Sequence, residues 1–174
     1  MIREFAVPAP DARKMWLLLG PVLLAAVVGI GIAAREQPRA MFLFPLLLLP
    51  ALLLVAKFRR SRVLLRDGEL VVQAGLNSHR VPLDALDLEH ARIVDLAERT
   101  ELRPMLKTFG TSLPGYRSGH FRLRDLSRAF VLLTGARRVL VLPERSGRRL
   151  LLGVEKPQAL LDALLAQRRQ LPSV

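Results

Sequence analysis

A chain of 174 residues without cysteine has room for one modest domain beside a helical anchor, and it excludes disulfides, cysteine-held metals and thiol catalysis. The formal net charge is +12, and from Lys57 onward 22 Lys and Arg face 12 Asp and Glu. Such a surplus favours acidic lipid, protein or nucleic acid, yet Arg supplies 23 of the 27 basic residues, a skew that codon bias produces without any designed patch.

Residues 1–14 form a short polar segment with Arg3, Arg13 and Lys14 ahead of the first apolar run. Residues 15–56 then read as a transmembrane helical hairpin. The run 15–34 has twenty residues without a charge, and the run 40–56 has seventeen. Only Arg35-Glu36-Gln37-Pro38-Arg39 separates them. At about 1.5 Å per residue the first run spans roughly 30 Å, the hydrocarbon thickness of a bilayer. The second spans roughly 25 Å and reaches the headgroups if Lys57 and Arg59 snorkel. A cleaved signal peptide is the weaker reading, because the first run exceeds a usual signal core and a second span follows at once.

Basic residues set the expected orientation. Arg3, Arg13 and Lys14 precede the first span, and Lys57, Arg59, Arg60, Arg62 and Arg66 follow the second, against Arg35 and Arg39 in the loop. Both termini are therefore expected in the cytoplasm. Ala25, Gly29 and Ala33 recur every four residues on one helical face, where small side chains let backbones approach. Their partner is the second span or another copy of the chain. Pro21, Pro45 and Pro50 are tolerable as kinks in membrane helices. Neither span holds an ionisable residue, which removes proton relays, pumps and transporters from consideration.

From 61 to 174 the pattern changes to short strands. Arg62–Arg66 and Glu69–Gln73 flank Asp67-Gly68, a strong hairpin signal. A turn at Gly75-Leu76-Asn77-Ser78 leads to a strand at 79–83, where Pro82 marks a sheet edge or bulge. Residues 88–96 read as a further strand. Residues 98–114 lack a clean period and read as a long connection. A strand at 116–124 follows, with alternation around Phe121 and Leu123. Apolar runs at 129–133, 139–142 and 150–154, with turns between, predict an antiparallel meander. A helix closes the chain from Pro157 to about Gln170: Pro157 suits its first turn, Leu160, Leu161, Leu164 and Leu165 make one stripe, and Arg168 and Arg169 complement its dipole. About seven antiparallel strands and one amphipathic helix result, the helix covering the core of a curled sheet.

The stretch Thr108-Phe109-Gly110-Thr111-Ser112-Leu113-Pro114-Gly115-Tyr116-Arg117-Ser118-Gly119-His120-Phe121 resembles the central glycine-rich turn of bacterial pleckstrin-homology-like domains carried on small membrane hairpins. The resemblance extends over about residues 61–170. It implies a curved or barrel-like sheet capped by a C-terminal helix, no catalysis and, for most such bacterial proteins, no established ligand; no cofactor is expected. Gly110, Pro114, Gly115, Tyr116, Gly119 and Phe121 carry it. Read from the residues themselves, the glycines serve turns and close backbone approach, and Tyr116 and Phe121 anchor the core. Eukaryotic pleckstrin-homology domains grip phosphoinositides from the loop between their first two strands. Here that turn, Asp67-Gly68-Glu69, is short and acidic, which argues against the same ligand.

No catalytic or metal constellation emerges. His79, His90 and His120 are far apart in sequence and in no ligand spacing. Ser118 stands near His120, but the G-x-S-x-G elbow is absent. Asp95, Glu98 and Glu101 have no matching acid or pocket. With one Tyr and one Trp, stacking surfaces for nucleic acid are scarce. The expectation is a non-enzymatic adaptor or scaffold, held by two spans at the cytoplasmic face of a bacterial inner membrane. Its expected partner is another membrane protein or itself. The alternative is binding or organisation of anionic lipid through Lys57, Arg59, Arg60 and Arg62.

Overall fold

The computed structural model describes residues 3–8, 12–36, 49, 61–74, 77–113 and 115–170. Strand β1 (Arg3–Ala6) is followed by helix α1 (Ala12–Glu36). Next among the described strands come β2 (Arg62–Arg66), β3 (Glu69–Ala74), β4 (Asn77–Pro82) and β5 (Arg92–Val94). The chain continues through β6 (Pro104–Leu113), β7 (Tyr116–Leu123), β8 (Arg128–Leu133), β9 (Val139–Pro143) and β10 (Arg149–Leu152), and closes with α2 (Pro157–Gln170).

The strands form two sheets, one in the order β1-β2-β3-β4 and one in the order β5-β9-β10-β8-β7-β6. The Asp67-Gly68 signal closes the β2–β3 hairpin as expected, with φ of 47° and 82° at its two residues, the positive pair that a primed turn requires. Pro82 ends β4, an edge of the first sheet, where a missing N–H breaks no ladder.

One cluster of buried side chains fills the space between the sheets. Val63, Leu65, Leu70 and Val72 meet Phe130, Leu132, Leu140, Leu142, Leu150 and Leu152, and α2 closes the cluster with Leu160, Ala163 and Leu164. Leu161 and Leu165, the other half of the helix stripe, pack against its margin. A second cluster covers the opposite face of the larger sheet: Phe121, Leu123, Val131, Leu133, Val139, Val141 and Leu151 lie under Leu96 and Leu102.

Five expectations are corrected here. The meander at 129–154 does not form: β10 inserts between β9 and β8, antiparallel to the first and parallel to the second. Those strands are apolar on both faces because both faces are covered, a condition that admits a parallel pair. The supposed connection at 98–114 holds a short 3-10 turn, Thr100–Leu102, and the ten-residue strand β6. Two register irregularities, between Pro104 and Leu106 and between Lys107 and Phe109, break its alternation and hid it from a period-two reading. The strand at 88–96 shrinks to Arg92–Val94. The strands number ten among the described residues rather than about seven, and not all are antiparallel.

The fifth correction concerns the N-terminal segment, which is part of the domain. β1 pairs antiparallel with β2, from Arg3 opposite Leu65 to Ala6 opposite Arg62. Phe5 and Val7 pack against the main core, and the Glu155 amide donates to the Ala6 carbonyl at 3.1 Å. Helix α1 takes in the whole run 15–34 and leaves Leu17, Leu24, Val28 and Ile32 between 50% and 78% exposed. Among the described residues no helix is long and apolar enough to cross a membrane. The second run, 40–56, with Pro45 and Pro50, lies outside them, so the hairpin itself is not displayed.

Candidate functional site

The central glycine stretch forms the β6–β7 hairpin. Gly110 and Gly119 stand directly opposite each other across the two strands, at φ of 137° and 115°. A Cβ on Gly110 would lie 2.1 Å from the Ser118 carbonyl oxygen, and one on Gly119 would lie 2.3 Å from that of Phe109. Neither position admits a side chain. Gly115 takes φ of 78° in the turn, while Pro114 lies outside the described residues. Tyr116 is buried and its hydroxyl meets Ser61 Oγ at 2.9 Å, tying the hairpin to the start of the domain. Phe121 is buried in the second cluster. These residues build the sheet and offer no chemistry of their own.

Of the basic residues expected to face lipid, Lys57, Arg59 and Arg60 lie outside the described residues. Arg62 pairs with Glu4 at 3.0 Å and so helps clamp β1 to β2. Ala25, Gly29 and Ala33 are all exposed on α1, with nothing within 4 Å of a Cβ added at Gly29.

Sequence reasoning missed a cleft at the open end of the two sheets. Along β7 the residues facing the main core run Tyr116, Ser118, His120 and Arg122, and β8 sets Phe130 beside His120 and Arg128 beside Arg122. Moving outward from the leucine core, the same face therefore turns aromatic and then basic. β4 brings His79 over it from the other sheet. The His79 ring stacks on Phe130 with centroids 4.7 Å apart, and meets His120 edge-on at 5.7 Å. Thus two histidines 41 positions apart in the chain become neighbours, contrary to their separation in sequence. His90 stays away from them, bonded to Asp87 at 2.7 Å.

The β9–β10 turn supplies Glu144 and Arg148 to complete a cavity of about 440 Å³. The Glu144 side chain is only 10% exposed. Its Oε2 accepts from Ser146 Oγ at 2.9 Å, while its buried Oε1 has no hydrogen-bond partner and stands 3.5 Å from His79 Nε2. Arg122, Arg128 and Arg148 line the mouth and take part in no ion pair among the described residues. Burial, then the neighbouring His79 and Arg148, hold the His120 imidazole below its ordinary range, against the pull of Glu144. No group of three or more His, Asp or Glu able to hold a metal occurs among the described residues.

A family model described as bacterial PH domain matches residues 61–168. The chain belongs to the bacterial PH domain family. Domains of this type are generally non-catalytic binding modules, and the two sheets with their closing helix have the architecture that the resemblance implied. In this bacterial PH domain β1 lies ahead of the matched stretch and extends its first sheet by one strand. No curated protein and no solved structure matches the chain significantly.

Among the described residues the larger sheet also ends in an open edge. β6 is its last strand, and Met105, Leu106 and Phe109 on it are 58% to 66% exposed. A ten-residue edge with bare apolar side chains is a template for another strand.

Proposed function

We propose that the chain is a membrane-anchored PH-type interaction module, held at the cytoplasmic face of a bacterial inner membrane as a non-enzymatic adaptor or scaffold. The observation that carries this reading is the pairing of β1 with β2. Residues 3–6 and 62–65 are paired neighbours, so whatever lies between them leaves this sheet and returns to it. Two charge-free runs of 20 and 17 residues around a five-residue polar gap suit such an excursion across a bilayer. The exposed leucines, valines and isoleucine of α1 call for a medium other than water. The excess of Arg and Lys beside the domain favours the cytoplasmic side.

The β6 edge is the surface we assign to the partner, a membrane protein or a second copy. Strand addition supplies backbone hydrogen bonds, and Leu106 and Phe109 supply apolar contact. Confinement to a thin layer at the membrane raises the effective concentration, so weak contacts suffice. The anionic-lipid alternative draws on Lys57, Arg59 and Arg60, since Arg62 is engaged by Glu4.

The test is affinity capture of the full chain from detergent-solubilised membranes, beside a variant carrying Leu106→Glu and Phe109→Glu. Recovery of a protein with the parent chain and its loss with the variant supports the module and its edge. Equal recovery from both overturns the β6 assignment, and capture of nothing by either overturns the adaptor reading. Because the chain has no cysteine, a Ser146→Cys variant reports the side directly. An impermeant maleimide should label it only after the inner membrane is opened.

A further inference from the structure

We propose that the cleft between β4, β7, β8 and the β9–β10 turn is a ligand site for a phosphate ester that carries a free hydroxyl. It lies apart from the acidic β2–β3 turn and does not depend on the anchor or on the β6 edge. Three features specify the ligand. First, Arg122 and Arg128 stand directly opposite each other on adjacent strands, with Arg148 completing the mouth. Like charges placed opposite one another on a sheet destabilise it, and no carboxylate among the described residues offsets them by an ion pair. Planar guanidinium groups converging on one cavity match the oxygens of a phosphate.

Second, the cavity wall holds an acceptor without a hydrogen bond. Glu144 Oε1 is buried there, its nearest charged neighbour being His79 Nε2 at 3.5 Å, and a buried oxygen that accepts no hydrogen bond is costly. A hydroxyl borne on the ligand's carbon skeleton supplies the missing O–H at a distance from the anion, which inorganic phosphate held by the arginines does not. Third, the stacked His79 and Phe130 with the edge-on His120 form a partly apolar wall that suits the carbon skeleton between the two polar groups. At about 440 Å³ the cavity has room for a small polyol phosphate. A glycerol phosphate unit satisfies all three features, and it has two sources: a soluble metabolite or the headgroup of an anionic glycerolipid.

The experiment uses the full chain in a zwitterionic detergent, with nitrogen-labelled histidines read by NMR. Titration with sn-glycerol 1-phosphate should shift the His79 and His120 signals saturably and leave His90 unmoved. The Arg122→Ala, Arg128→Ala pair should weaken this binding by about tenfold or more, as loss of charged hydrogen bonds requires. Glu144→Gln should weaken glycerol phosphate while leaving inorganic phosphate unchanged. Replacing Arg137 and Arg138, two arginines outside the cleft, should change neither. Vesicles then separate the sources. If phosphatidylglycerol vesicles reproduce the shifts and phosphatidylcholine vesicles do not, the headgroup is the ligand; if the two vesicles behave alike and the soluble ester still binds, the metabolite is. Absence of a saturable His79 and His120 shift in every arm, or equal loss from the Arg137 and Arg138 variant, overturns the site.

Discussion

Replacing Gly119 by alanine tests the central architectural claim, that β6 and β7 touch backbone to backbone. An alanine there must hold φ of 115°, outside the range L residues favour, at a cost of order 1–3 kcal/mol. Its Cβ would also sit 2.3 Å from the Phe109 carbonyl oxygen and 2.7 Å from the Gly110 Cα, both backbone atoms that cannot rotate aside. Forcing those strands apart adds about 1–3 kcal/mol, the usual cost of overpacking. Together the loss is about 4 kcal/mol, a large part of the stability of an ordinary domain. Gly147 is the control, with φ of 82° but nothing within 4 Å of an added Cβ. Gly147→Ala should therefore cost only about 1–2 kcal/mol, the backbone component alone. Urea unfolding of the full chain in mild detergent, read by far-UV circular dichroism, compares the two. If Gly119→Ala costs no more than Gly147→Ala, the close approach of the two glycines is refuted.

Phe5→Ala should lower stability by about 1–3 kcal/mol in the same assay, since Phe5 is partly buried against the main core. No loss would mean that β1 is not an integral strand. Leu164→Ala should cost about 2–5 kcal/mol, because that fully buried side chain closes the space between the sheets. The pH dependence follows from His120. Its folded form titrates below the ordinary histidine value of 6.5, so the unfolded chain takes up the proton first. The stability it contributes is complete above pH 6.5 and is lost as pH falls from there through the folded value. The urea midpoint should thus be lower at pH 5.5 than at pH 7.5, and His120→Gln should shrink that difference. An unchanged difference in the variant would remove His120 as its source.

Recognition of the fold came from features that act over a few residues. The Asp67-Gly68 hairpin needs only two positive φ values, and α2 needs only Pro157 and a leucine stripe at helical spacing. The glycines of the β6–β7 hairpin were also legible as structural, although not as a facing pair. The cleft was not legible at all. His79, His120, Phe130 and Glu144 come from β4, β7, β8 and the β9–β10 turn, and no spacing rule links positions so far apart. Only the basic surplus hinted at it, and Arg enrichment alone does not say which arginines converge.

The sequence by itself determined the two charge-free runs, the change to short strands after them, the turn residues and the closing helix. Each depends on hydrophobic content or backbone preference within a dozen neighbours. Tertiary structure alone decided which strands pair. The four residues of β1 are too short to announce a strand, and they form one because β2 offers an unpaired edge and the core accepts Phe5. The runs 139–142 and 150–154 are equally compatible with a meander. Insertion of β10 beside β8 wins because it buries Leu150 and Leu152 on one face and Leu151 on the other. Pairing between distant segments is a competition among whole packings, and no local signal records its outcome.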